Sequence, residues 1–189
     1  MLKIAITGNI ASGKSLFENF LKERGYKVLC LDCVTHFLYE NSTVLQEFLL
    51  KKFNTKTRKE IADIVFQDVV QKKELEDFIY PLILNEMNAF FAAHKDEPVV
   101  FVSAALLFEA GFDKYFDKTL LITTDKNIRL QRLMKRNGLT ETEALSRINS
   151  QMREEVKKEL SDYVIDNSLD IGALELKADD FIKEILQEH

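Results

Sequence analysis

The chain has 189 residues, 46% of them hydrophobic, which is enough to bury one substantial core with room for an insertion and excludes a disordered or fibrous protein. Its 31 acidic and 26 basic residues give a formal charge of -5, so no global basic field favours nucleic acid or an anionic membrane, and neither is an expected partner. The N-terminus lacks a basic leader pattern with a cleavage site, and the longest apolar stretch, Pro98 to Phe108, is too short to span a bilayer, so a cytoplasmic protein is expected.

The first predicted element is a strand over residues 2–6. Directly after it Gly8-Asn9-Ile10-Ala11-Ser12-Gly13-Lys14-Ser15 forms a complete G-x-x-x-x-G-K-[ST] sequence, and Leu16-Phe17-Glu18-Asn19-Phe20-Leu21 continues as an amphipathic helix. This is the strand-to-helix setting that a phosphate-binding loop requires. Backbone N–H groups wrap the phosphates, the helix N-terminus adds partial positive charge, Lys14 supplies a full one, and the Ser15 hydroxyl suits Mg²⁺. Gly25 signals the end of the helix.

A second strand is expected over residues 27–31, with Asp32 at its end. Cys30-Leu31-Asp32-Cys33 has C-x-x-C spacing and His36 lies near, but no second cysteine pair completes a zinc site. Buried, reduced thiols are the expected state, with a redox pair or a metal cluster as alternatives. Residues 40–95 show no strand and read as an all-helical insertion in which Pro81 interrupts or starts a helix. Apolar runs at 98–102, 119–123 and 163–165 supply three further strands. Residues 126–159 are a second helical excursion, in which Gly138 marks a turn and Thr140 to Glu143 a capping-box-like start. The last helix carries Ile171, Leu174, Ala178, Phe181, Ile182 and Ile185 on one stripe. Strands alternating with long helical crossovers predict five parallel strands sandwiched by helices within a single domain. Its core is residues 1–39, 96–125 and 160–189, with 40–95 as the insertion and 126–159 as a lid, an organisation analogous to small P-loop kinases.

In an open parallel sheet the carboxyl ends of the strands face the ligand crevice, which places Asp32 where a carboxylate can accept a proton from an attacking hydroxyl. Its alternative role is to cap the helix that follows. Arg129, Arg132 and Arg136 recur at helical spacing and share one face, suited to charge that develops on a transferred phosphoryl group or to simple solvation. Arg147 and Gln151 lie one turn apart. Arg58, with Lys56 and Lys59, forms a small positive patch suited to a substrate phosphate and equally to solvent.

Over essentially its whole length the sequence resembles the dephospho-coenzyme A kinases. The likeness runs from Ile4 through Ser15, then through Leu31-Asp32 with His36, which is similar to the end of that family's Asp-Ala-Asp segment. It continues at Arg58, Ile61 and Val65-Phe66, at Pro81-Leu82-Ile83, at Leu106-Leu107-Phe108-Glu109, at Arg132 and Arg136, at Arg147 with Gln151, at Lys157, and at Val164-Ile165-Asp166-Asn167. Cys30 stands where the family has its first aspartate, Tyr80 where a histidine is common and Ala105 where a proline is usual.

The resemblance implies a nucleoside-monophosphate-kinase-like fold with a helical substrate-binding insertion and a helical lid. The implied reaction is ATP-dependent, Mg²⁺-assisted phosphorylation of the ribose 3′-hydroxyl of dephospho-coenzyme A, without a protein partner. Gly8 to Leu16 would hold ATP, with Asn167 at the adenine edge or stabilising a turn. Asp32, Lys14, Arg136 and Arg132 would act in catalysis. Asp32, Arg58, Tyr80, Glu109, Arg147 and Gln151 would face the substrate, Glu109 having a surface position as its alternative. Other readings are a kinase for a nucleoside monophosphate or small metabolite, and a nucleotide-dependent switch. No Asn-Lys-x-Asp or Asp-x-x-Gly segment supports the switch.

Overall fold

The computed structural model describes residues 1–187. Five strands, β1 (Leu2–Thr7), β2 (Lys27–Cys30), β3 (Val99–Ser103), β4 (Lys118–Thr123) and β5 (Tyr163–Asp166), form one parallel sheet in the order β2-β3-β1-β4-β5. β1 runs parallel to both β3 and β4, with Ile6 opposite Ser103 and Leu120, and β4 runs parallel to β5. Ile4, Ala5, Ile6, Thr7 and all of Val99–Ser103 are buried, as central strands covered on both faces must be.

The chain divides into two compact units, residues 1–29 with 96–189, and residues 30–95. In the first, α1 (Lys14–Glu23) and α9 (Ile171–Gln187) place Phe17, Phe20 and Leu21 with Leu174, Phe181 and Ile182 in one core with the strands. Gly25, at φ 87°, ends α1 in a Schellman motif: its N–H reaches the Lys22 carbonyl at 2.9 Å and the Tyr26 N–H reaches that of Leu21 at 3.0 Å. After β4 come α6 (Lys126–Asn137), α7 (Glu141–Asn149) and α8 (Glu154–Leu160). The expected capping box is present at the start of α7, with Thr140 and Glu143 bonded reciprocally.

The second unit contains α2 (Leu31–Asn41), α3 (Thr43–Phe53), α4 (Arg58–Gln67) and α5 (Val69–Ala93). Leu45, Leu49, Ile61, Ile79, Ile83 and Met87 are buried in it, and Phe48 stacks on Phe78 with ring centroids 3.9 Å apart. The compact helical unit therefore starts at Cys30, ten residues before the position 40 expected from sequence.

Three local expectations need correction. β2 stops at Cys30, so Asp32 does not end a strand but lies in the first turn of α2. The cause is a cap: Cys30 Sγ accepts the Cys33 N–H at 3.2 Å, turning the chain from strand to helix without a loop. The two thiols form no disulfide, but Cys30 is only half-buried and Cys33 is exposed, so they are not core residues. Pro81 neither starts nor interrupts a helix; it lies inside α5. There it removes the bond to the Asp77 carbonyl, and both residues are on the exposed side, where water can replace the lost donor.

Candidate active site

The phosphate loop connects β1 to α1 and depends on small residues at fixed positions. A Cβ on Gly8 would come within 2.5 Å of Ser12 Oγ and 2.7 Å of the Ile122 carbonyl. Gly13 has φ 96°, and a Cβ there would meet Asn167 Nδ2 at 2.0 Å. Gly13 offers α1 no side-chain cap, and the first turn of α1 carries no acid. The helix N-terminus is thus left without a side-chain anion, as a phosphate site requires. Leu16 contributes its N–H to the Gly13 carbonyl at 3.0 Å and packs its side chain against the main core.

Lys14 is buried, and its ammonium donates to Glu18 Oε1 at 3.1 Å and to Ser103 Oγ at 2.5 Å. Ser103 in turn donates to Glu18. α1 and the end of β3 therefore fix the direction of the lysine, and the sequence reading missed both partners. Glu18 had a signal, its i+4 spacing from Lys14. Ser103 had none, because only the β1–β3 register brings it there. Ser15 is exposed one residue further on, a hard oxygen donor beside the loop. No group of three or more His, Cys, Asp or Glu residues able to hold a metal occurs among the described residues. One hydroxyl fits Mg²⁺, which takes few protein ligands and keeps water and substrate phosphates around it.

The loop is supported from beneath. Asn167, 4% exposed, donates from Nδ2 to the Ser12 carbonyl at 2.8 Å, and Thr124 Oγ1 donates to the same oxygen at 2.8 Å. The Asn167 amide thus holds the loop, the turn-stabilising alternative of the two sequence readings. Arg132 is half-buried and donates to the Asn167 carbonyl at 3.3 Å, beside Gly13. Arg136 is exposed and donates to Asn137 Oδ1 at 2.9 Å. Arg129 differs from both: it is buried, with Nε on the Thr124 carbonyl at 3.1 Å and NH2 3.6 Å from Glu154. The three arginines therefore do not share one solvent-facing stripe.

Two residues expected at the substrate are bonded within this unit. Glu109 Oε1 accepts from Lys157 Nζ at 3.0 Å and from the Met152 N–H at 3.1 Å, which anchors α8 and the segment before it. Lys157, fully buried, also donates to the Ala105 carbonyl at 2.8 Å. That contact uses backbone, so alanine in place of the family's usual proline preserves it. Gln151 Oε1 accepts the Ile10 N–H at 2.7 Å. Arg147 is exposed in the last turn of α7.

Within the helical unit, Asp32 is exposed at the second position of α2, where its charge complements the helix dipole. The cap belongs to Cys30, so the cap-only account of Asp32 does not describe α2. Arg58, first residue of α4, donates to His36 Nδ1 at 3.0 Å and lies 5.3 Å from the Tyr39 ring centroid. His36 Nε2 is 3.2 Å from Glu40, so the ring accepts from Arg58 and donates to the carboxylate. Burial pushes the Tyr39 phenol above its ordinary pKa, opposed by the Arg58 charge. Tyr80 is half-buried on α5. No helix among the described residues is long and apolar enough to cross a membrane.

A sequence profile of the dephospho-CoA kinase family matches residues 2–172. The chain is 36% identical to the dephospho-CoA kinase of Helicobacter pylori over 97% of both sequences. It is 33% identical to that of Lactobacillus johnsonii over 96% of this chain and 97% of the relative. Among solved structures, a Thermus thermophilus protein aligns with a TM-score of 0.87 at 32% identity over 97% of each chain. The dephospho-CoA kinase of Campylobacter jejuni aligns with a TM-score of 0.70 at 29% identity, covering 97% of this chain and 96% of that one. A shikimate kinase from Bacteroides thetaiotaomicron, 14% identical with a TM-score of 0.54, shares the fold alone. With a phosphate loop built to completion and relatives matching from end to end, the chain belongs to the dephospho-CoA kinase family.

Proposed function

We propose that the chain transfers the γ-phosphoryl group of ATP to the ribose 3′-hydroxyl of dephospho-coenzyme A, releasing ADP and coenzyme A, the last step of coenzyme A synthesis, in the cytoplasm. The observation that carries this reading is the supported phosphate loop with Lys14 held by Glu18 and Ser103, in a chain of this family. Loop amides and Lys14 hold the β- and γ-phosphates. Ser15 would hold Mg²⁺, which supplies charge neutralisation across those phosphates. Asp32 takes the proton of the 3′-hydroxyl as its oxygen bonds to the γ-phosphorus and the bond from phosphorus to the β-bridging oxygen breaks. Its support is its place in the first turn after β2, the family's second aspartate and the separate cap at Cys30. Arg136 and Arg132 offset charge in transit, Arg132 from beside Gly13.

Arg58, Tyr80 and Arg147 are the proposed acceptor contacts. Arg58 is the best supported, because His36 and Tyr39 orient its guanidinium for an anionic group. Residues 1–189 then act as one kinase domain, the α2–α5 helices serving the acceptor and α6–α8 the lid. ADP formation across a panel of acceptors tests the assignment. Selective turnover with dephospho-coenzyme A supports it, and preference for a nucleoside monophosphate or another metabolite overturns it.

A further inference from the structure

The turn that opens the phosphate loop is closed by the Ser12 N–H, which donates to the Asn9 carbonyl at 3.0 Å and leaves Ile10 and Ala11 as its central residues. Ala11 has φ 63°, a left-handed conformation that a side chain disfavours. The turn therefore needs external support, and it receives it from the α6–α8 region. The Ile10 N–H donates to Gln151 Oε1 at 2.7 Å. The side chains of Ile10 and Ala11 pack against a small core made by Leu133 of α6 with Ala144 and Ile148 of α7. On either side, Asn9 Nδ2 donates to the Met152 carbonyl at 3.0 Å, and the Met152 N–H donates to Glu109 at 3.1 Å.

We infer that Gln151 is a positioning residue for the ATP phosphates, acting through the Ile10 N–H, and not a contact to the acceptor. It holds the strained turn closed and couples the α6–α8 region to the loop that binds nucleotide. The apolar packing of Ile10 and Ala11 makes that coupling mechanical: displacement of α6 and α7 pulls on the loop, and an ordered loop favours one placement of the helices. The inference rests on the phosphoryl-transfer reading for its role, although the geometry of the contact does not.

Gln151→Met keeps the chain length and removes the acceptor, whereas Gln151→Glu retains one. The readouts are residue-resolved amide exchange at Ile10 and calorimetric binding of ADP and of dephospho-coenzyme A. For Gln151→Met the expected result is faster exchange at Ile10, ADP affinity lower by about 5–30-fold and acceptor affinity unchanged; Gln151→Glu restores protection at Ile10. Unchanged Ile10 protection in Gln151→Met overturns the inference. So does a loss confined to acceptor affinity, or a lower melting temperature with ADP affinity intact. A wild-type protein that binds ADP but does not phosphorylate dephospho-coenzyme A defeats the proposed function instead, while the exchange and ADP measurements still decide the role of Gln151.

Discussion

Two buried donors converge on the Ser12 carbonyl, Asn167 Nδ2 and Thr124 Oγ1, each at 2.8 Å, and this predicts a specific non-additivity. Removing either donor leaves the oxygen satisfied by the other. Thr124→Val or Asn167→Ala should therefore each cost about 1 kcal/mol, the net value of one neutral hydrogen bond. The Thr124 hydroxyl has a single proton and also faces the Thr123 carbonyl at 2.7 Å, so its loss counts as one bond. In the double variant both side-chain donors are gone from a residue that is 1% exposed, and the desolvation cost of about 1–3 kcal/mol is added. The total becomes about 3–5 kcal/mol, with a coupling of about 1–3 kcal/mol. In a chain of this size each kcal/mol moves the midpoint by about 2–4 °C, so the double variant should melt roughly 6–20 °C below wild type. Urea titrations of the four proteins, with thermal melts beside them, measure the cycle. Additivity within about 0.5 kcal/mol would refute the account of how the loop is held.

Lys14→Ala should remove most turnover while the fold survives, checked by steady-state kinetics with circular dichroism; wild-type turnover with normal ATP affinity contradicts its role. Arg136→Ala should lower kcat more than ATP affinity, and Arg132→Ala should additionally loosen the loop because it bonds the Asn167 carbonyl. Wild-type kinetics in both variants would make the arginines solvated surface. Cys30→Ser should keep activity and leave stability unchanged or raise it by a few tenths of a kcal/mol, since a hydroxyl is a better helix cap than the Sγ seen here. A loss of about 1 kcal/mol or more in denaturant titration would show that the sulfur acts otherwise.

The phosphate loop was legible because its chemistry is local: the glycines, lysine and serine lie within eight consecutive residues, and the geometry forbids a Cβ at Gly8 and Gly13. The three central strands β1, β3 and β4 were legible for a similar reason, since strands buried on both faces read as unbroken apolar runs. The β2–α2 boundary was not, because a sulfur seldom caps a helix and Leu31 reads equally well as strand. Ser103 and Thr124 reach the site only through sheet register, a non-local relation that no spacing in the sequence encodes. The bonds of Glu109 to Met152 and of Gln151 to Ile10 were equally hidden, because each joins residues far apart in the chain.

The most direct test of the central claim is mass spectrometry of dephospho-coenzyme A incubated with ATP, Mg²⁺ and the purified protein, with Asp32→Asn run in parallel under single-turnover conditions. The account predicts a gain of one phosphate on the acceptor, matched by one ADP, and a rate for Asp32→Asn lower by about 10²–10⁴-fold with an unchanged melting temperature. An acceptor left unmodified while ATP is bound, or Asp32→Asn transferring phosphate at the wild-type rate, would contradict it.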